Sequence, residues 1–320
     1  KEVQIIDKNT VKFIVKEKYF KNFNVAAGLS PSPKHIYSDL SKENIKKLNK
    51  TLVGTGPYKL ESFEKGKKIF LVRNQEWWGN NNPAQAGRHN YYKILMRFIK
   101  DGTISITRAE RGELDFIGLN DEEYVKKTTG KRWGKDIFKV ETQNRAPNGY
   151  GFIAWNLKNP MFASKKTRLA LYHLVNRQLM IDKFKFGLSV LATGPTFIQS
   201  DYADKEIRPV EYDPKLALAL LREDGWVQGS DSILEKVVDG RKIKLSFTIL
   251  EPSEEFVKYL TIFKEDARQA GVEVKIKYIE WTSFIKLLDE RNFEALRLGW
   301  SCGDMDWDPK QIWHSESAAT

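Results

Sequence analysis

Cysteine is almost missing from this chain. Cys302 is the only one in 320 residues, so no intrachain disulfide can form. That suits the cytoplasm, or a periplasmic protein whose fold needs no covalent staple. No apolar run approaches the length needed to cross a bilayer. The first residues, Lys1-Glu2-Val3-Gln4-Ile5-Ile6, contain no signal-peptide core. The formal net charge is +11, yet the basic residues come in short, scattered groups such as Lys46-Lys47, Lys65-Lys67-Lys68, Lys126-Lys127 and Lys165-Lys166. No helix carries a continuous basic stripe, and there is no RNP, zinc-finger or arginine-rich pattern. Nucleic acid is therefore not the expected partner. The charge reads as a solvated surface that can also attract anionic ligands or an anionic membrane face.

The length, by contrast, is enough to bury a substantial core in two domains or one large one. Aromatics make up 12% of the residues, with nine tryptophans. Most of these belong in the core, and some are available to line a ligand site. Residues 3–15 alternate as a hairpin, with Asp7-Lys8-Asn9 at the turn. A partly helical stretch follows over 19–29, and the prolines of 30–36 mark a turn before a short helix. Residues 91–99 read as a buried strand and 101–111 as a helix, with another strand beginning near Asp115-Phe116. Asp115 is a cap or a solvated group rather than an acid or base, because nothing near it completes a catalytic set.

Turn formers at 144–149 mark the best boundary. Beyond it, 150–156 reads as a strand, 165–175 as an amphipathic helix, and another helix starts at Asn176. The last hundred residues alternate: strand 242–250, helix 254–270 closed by Gly271 in a C-cap position, strand 272–278, helix 282–291, strand 293–300. Such alternation predicts a parallel sheet with right-handed crossovers. Ligands of open α/β sheets lie beyond the carboxyl ends of the strands, and 300–309 sits at such an end. That string, Trp300-Ser301-Cys302-Gly303-Asp304-Met305-Asp306-Trp307-Asp308-Pro309, holds three carboxylates and two indoles. It is not an EF-hand, because Pro309 replaces the glycine and Ser315 the closing glutamate. Cys302 and His314 lack an orienting third group for thiol catalysis, and no second histidine lies close enough in sequence to complete a metal site. No cofactor and no metal are expected. As an acidic solvated loop, the string would have Asp308-Pro309 as its turn.

The most specific string is 54–78, GTGPYKLESFEKGKKIFLVRNQEWW: a glycine-proline turn, a twisted hairpin, a tyrosine at one end and paired indoles at the other. It resembles the signature of the family 5 extracellular solute-binding proteins, the oligopeptide- and dipeptide-type receptors of bacterial ABC importers. The resemblance extends through 160–182, with Arg168 and Arg177 at matching places, through Asp213-Pro214 to Gly225-Trp226, and through 281–309. The string from Trp313 to Ala319 is similar to the Yej-type branch, linked to peptides and peptide antibiotics.

The resemblance implies a two-lobed α/β fold of the type II periplasmic-binding-protein kind, with mixed sheets flanked by helices. Residues 1–149 would belong to the first lobe and its accessory subdomain and 150–320 to the second, the chain being a fragment incomplete at both ends. It implies capture of peptides or peptide-like solutes, delivery to ABC permease subunits, no enzymatic activity, a monomer, and a periplasmic or lipid-anchored extracellular location. Peptide-binding relatives carry a Gly-Trp-x-x-Asp pattern whose aspartate pairs with the ligand ammonium. Here the aspartate lies one residue later, making Asp304 the match and Asp306 the alternative; the Yej-type branch often departs from the pattern. Trp281, Arg297, Arg291, Trp300 and Tyr150 complete the expected ligand-binding set. An arginine suits a ligand carboxylate because its planar fork pairs bidentately. Core packing for Trp281 and a salt bridge for Arg297 are the plain alternatives. Two other classes fit the residues: a hydrolase working through Asp304, Asp306 and Asp308, and a ligand-sensing adaptor on the same fold.

Overall fold

The computed structural model describes residues 2–48, 52–142, 149–301 and 308–319. It divides into two compact units, Lys1–Asp101 and Gly102–Thr320.

The first unit opens with the expected hairpin, β1 (Glu2–Ile5) against β2 (Val11–Ile14). Its turn is held by the Asp7 carboxylate, which accepts from the Asn9 amide at 2.8 Å. Three short helices follow, α1 (Asn22–Ala27), α2 (Lys34–Tyr37) and α3 (Lys42–Leu48), and then an antiparallel sheet of β3 (Tyr58–Glu64), β4 (Lys68–Arg73) and β5 (Lys93–Arg97) in that order. The 54–78 string builds this sheet. Gly66 adopts the left-handed φ of +71° at the β3–β4 turn, where a side chain would be strained. The Tyr58 hydroxyl donates to the Tyr91 carbonyl at 3.0 Å, and the Trp78 indole donates to the Thr55 carbonyl at 3.1 Å. Trp77 meets His89 edge-on at 5.3 Å. The recurring aromatics of the signature are thus pins that close a sheet. The strand expected to be buried over 91–99 forms as β5, but four of its five residues are exposed. Among the described residues it is an edge strand, with a neighbour on one side only.

In the second unit α4 (Gly102–Glu110) forms as expected, but no strand follows it at 112–116. Gly112 turns the chain at φ +77°, and Phe116 is 91% exposed. A capping box then takes over: the Asn120 amide donates to Glu123 and the Glu123 amide to Asn120, at 3.0 and 2.9 Å.

The main sheet has the order β11 (Glu273–Tyr278), β10 (Ser246–Glu251), β12 (Ala295–Trp300), β6 (Tyr150–Trp155). β10 runs parallel to β11 and β12, joined through α8 (Glu254–Gln269) and α9 (Trp281–Asp289), so the parallel arrangement read from the alternation is present. β6 adds an antiparallel edge along all six residues of β12. The two meet closely at Gly149, where a β-carbon would fall 2.0 Å from the Trp300 carbonyl oxygen. The run 242–250 is not one strand. It breaks at Leu245 into β9 (Arg241–Lys244) and β10, and β9 joins β7 (Val227–Gln228) and β8 (Leu234–Val238) in a small antiparallel sheet.

Alternation along β10 sorts the core. Phe247 and Ile249 face α8, α5 (Lys165–His173) and α7 (Pro214–Glu223), while Leu250 and Leu296 face α9 through Phe284. On the first face Trp155, Phe162 and Phe247 form an aromatic triad with centroids 5.0–5.5 Å apart. Deleting a ring such as Phe247 would cost about 3–5 kcal/mol.

Local chemistry explains two helix boundaries here. Asp213 caps α7 by accepting from the Leu216 amide at 2.9 Å, and Pro214 fits the first helical position, which needs no N–H. Gly225 ends that helix at φ +87°, with its amide and that of Trp226 bonded to the carbonyls of Arg222 and Leu221. Gly271 does the same after α8, with the amides of Gly271 and Val272 bonded to Arg268 and Ala267. Two further helices complete the unit, α6 (Arg177–Met180) and α10 (Lys310–Trp313).

Candidate functional site: a cavity against the main sheet

A cavity of about 690 Å³ lies on the α5–α8 face of the main sheet, within the second unit. Its floor is β6 and β12, and α5 and α8 form walls with Tyr172, Phe256, Tyr259 and Leu260. This is the size and lining of a small-molecule or peptide side-chain site, apolar with a few polar groups that fix orientation.

Three arginines line it, Arg168, Arg177 and Arg297, and they differ in what their guanidinium groups already hold. Arg168 donates to the carbonyls of Phe162 and Ala163 at 2.6 and 2.8 Å. Arg177 donates to the carbonyls of Ala192 and Val210 at 3.0 and 2.8 Å and lies over the Tyr172 ring. Both are tied to the backbone. Arg297 is not. Its side chain keeps 18% exposure, and its guanidinium carbon sits 3.4 Å above the Phe256 ring. Its Nη1 lies 3.5 Å from Glu251, a long contact for a group with five donors.

Glu251 is fully buried. One of its oxygens accepts from the Ser253 amide at 2.9 Å, and the other has no hydrogen-bond partner. Burial pushes its carboxyl above the usual range, against the opposing pull of the Ser253 amide and Arg297. Burial likewise lowers the proton affinity of Arg297, with Glu251 offsetting part of that. The pair is thus a cation held in an apolar wall by stacking and by a partner too distant to saturate it.

The expected ligand set divides over the sheet. Arg297 and the β6 segment starting at Tyr150 reach the cavity. Trp300, three residues on from Arg297, belongs to the other face of β12 and stacks on Phe152 at 6.3 Å. Trp281 opens α9, half exposed, with its ring parallel to Phe284 at 5.8 Å. Arg291 does not join them. It turns the chain after α9 at φ +54°, at the amino end of β12, where its carbonyl accepts from Asn156. Asp304 and Asp306, like Cys302 and the 143–148 stretch, lie outside the described residues. Among the described residues no three His, Cys, Asp or Glu side chains gather as a metal site.

Glu251, Phe256 and Tyr259 were missed from sequence. A signal was there: a carboxylate closing the apolar run Phe247-Thr248-Ile249-Leu250, followed directly by Pro252 and a helix start.

Comparison with known proteins adds an independent line. The sequence model described as bacterial extracellular solute-binding proteins, family 5 Middle, matches residues 1–319. The oligopeptide-binding protein AppA of Bacillus subtilis is 26% identical over 293 residues, covering 88% of this chain and 50% of that protein. The structure of AppA in complex with a nonapeptide matches with a TM-score of 0.75 at 25% identity, over 99% of this chain and 61% of that one. NikZ from Campylobacter jejuni in complex with Ni(L-His) matches with a TM-score of 0.75 at 21% identity, over 99% and 60% of the two chains. The chain spans about half the length of the curated relatives it matches. The mixed α/β fold is that of the type II periplasmic binding proteins.

Proposed function

The chain belongs to the family 5 bacterial extracellular solute-binding proteins, and from that premise we propose that it is the substrate-binding part of an ABC importer for peptides or peptide-like solutes. Ligand would be enclosed between two lobes, with residues 1–149 assigned to the first and 150–320 to the second, and passed to a membrane permease without chemical change. The location would be periplasmic, or extracellular with a lipid anchor, and the receptor a monomer.

The observation that carries this reading is Arg297, a cation with unspent donors in an apolar cavity. Such a wall accepts a ligand carboxylate by paired charge-assisted bonds while the apolar surface takes side chains. AppA, which aligns over most of this chain, is an oligopeptide-binding protein. Asp304, with Asp306 as the alternative, would meet the ligand ammonium at the other end. Trp300, Trp281 and Arg291 remain in the ligand-binding set as contacts of the enclosed state, and Tyr150 contributes at the cavity floor.

Calorimetry with a peptide library, comparing free and amidated C-termini, tests the assignment. Arg297→Ala should weaken free-acid peptides by tens-fold, since losing one member of a buried charged pair costs about 2–5 kcal/mol. It should leave amidated peptides nearly unchanged. Equal losses for both kinds of peptide would remove Arg297 from the carboxylate site. Peptides should be recovered intact by mass spectrometry; turnover abolished by Asp304→Asn would favour a hydrolase instead.

A further inference from the structure

The net charge is not spread over the molecule. Of 53 lysine and arginine and 42 aspartate and glutamate residues, the unit 1–101 holds twenty of the first kind and nine of the second, a net +11. The remaining 33 of each kind cancel in the unit 102–320. Fewer than a third of the residues therefore carry the whole formal charge.

Within that unit four of the nine acids are drawn into ion pairs, and Glu2, Asp7 and Glu17, on and beside the first hairpin, are in none of those pairs. Glu43 pairs with Lys47, Glu61 with Lys93, Glu64 with Lys67 and Lys68, and Glu76 with Lys59. Lys8, Lys12, Lys16, Lys18 and Lys65 take part in none of these pairs. The first four follow one another along the exposed β1–β2 hairpin and its continuation, where β2 is exposed at every residue. In the three-stranded sheet Lys68 stands directly opposite Arg97, a like-charge placement that works against the fold. Exposed apolar side chains lie before, between and just after these lysines: Ile5 is 83% exposed, Phe13 42%, Phe20 63% and Phe23 79%.

We propose that residues 1–101 form a docking surface for anionic phospholipid bilayers. Clustered unpaired lysines are drawn to a negative lipid surface. Interspersed aromatic and aliphatic groups add burial at the headgroup boundary, which nucleic acid does not offer. An extracellular family also makes lipid the accessible anion. No helix among the described residues is long and apolar enough to cross a membrane, and the contact proposed is one of surface charge and shallow burial. Association of this kind would hold a receptor near the membrane whatever its ligand.

The test is co-sedimentation of the protein with vesicles of phosphatidylcholine alone or mixed equally with phosphatidylglycerol, at low and near-physiological salt. Binding is expected to the mixed vesicles only and should weaken as salt rises. The variant Lys8→Gln/Lys12→Gln/Lys16→Gln/Lys18→Gln should lose at least about ten-fold in partitioning. A control of equal charge change in the other unit, Lys158→Gln/Lys183→Gln/Lys215→Gln/Lys277→Gln, should lose less than about two-fold. Circular dichroism melts of both variants check that each remains folded. Equal losses in both variants would mean the lysines are merely solvated and would overturn the proposal. So would equal binding to both kinds of vesicle, no binding at low salt, or retention on duplex DNA at a salt concentration that releases the protein from lipid.

Discussion

Asp224 and Glu251 are both largely withdrawn from water in the same unit, yet their surroundings treat them oppositely. Asp224 accepts from Ser164 and Thr167 at 2.5 and 2.7 Å and from Lys236 at 3.1 Å. Thr167 in turn accepts from the buried Trp226 indole at 2.8 Å, so one carboxylate ties α5, α7 and β8 together. Burial alone would raise its carboxyl, but the bonds from Ser164, Thr167 and Lys236 outweigh that and hold it below the usual range. Glu251 has one backbone amide, a long contact to Arg297 and an oxygen with nothing. Asp224 is a saturated acceptor; Glu251, beside the cavity, leaves capacity unused. A binding wall needs that surplus, and Arg297 has more of it than Arg168, whose Nη1 already donates to two backbone carbonyls.

The largest effect should come from the saturated side. Asp224→Ala strands Lys236 and two hydroxyls at once, and should cost about 3 kcal/mol in urea denaturation. A loss under about 1 kcal/mol would erase the contrast between the two carboxylates.

How much of this was legible in sequence depends on how far apart the partners lie. The Gly271 stop was readable because it is a contract between neighbours in the chain, while the Asp213-Pro214 start and the Gly225 stop came with the family resemblance. The strands expected at 242–250, 272–278 and 293–300 announced themselves by their alternation with helices. Periodicity could not show that β6 would pair antiparallel with β12 across some 140 residues, nor that Leu245 would divide one apolar stretch between two sheets. The Glu251–Arg297 pair has the same origin. Arg297 was legible as a candidate, but its partner and the Phe256 ring beneath it follow from strand register and helix placement. The resemblance gave the fold class. It could not divide the expected ligand set between the two faces of β12, which follows from the pleat alone.

The middle-sized effect belongs to Glu251. Replacing it by glutamine removes a poorly supported buried charge and keeps an acceptor for the Ser253 amide. Stability should change by no more than about 1 kcal/mol in either direction, because an unsaturated buried ion pair contributes little net. A cost matching that of Asp224→Ala would show that Glu251 is as firmly built in, and the distinction between scaffold and cavity wall would fall.

The smallest effect is in the pH dependence of stability, where the two carboxylates should pull in opposite senses. Asp224 has a folded pKa below its ordinary 3.8. Its contribution is present above that value and lost as pH falls through the lower folded pKa. Glu251 has a folded pKa above its ordinary 4.5. Its contribution is fully present below 4.5 and lost as pH rises through the raised folded pKa. Urea midpoints of the wild type should therefore carry two opposed slopes, one below pH 4 and one on the neutral side of 4.5. Asp224→Asn should reduce the acidic slope, which Asp231 and Glu273 share, and leave the other; Glu251→Gln should reduce the upper slope, which Asp266 shares, and leave the acidic one. Arg297→Ala supplies the sharper version. Without the guanidinium, the Glu251 carboxyl should rise further, so the upper slope should steepen and move toward neutral pH. If it does not move, Arg297 is not felt by Glu251 at 3.5 Å, and the two residues share a wall without forming a pair.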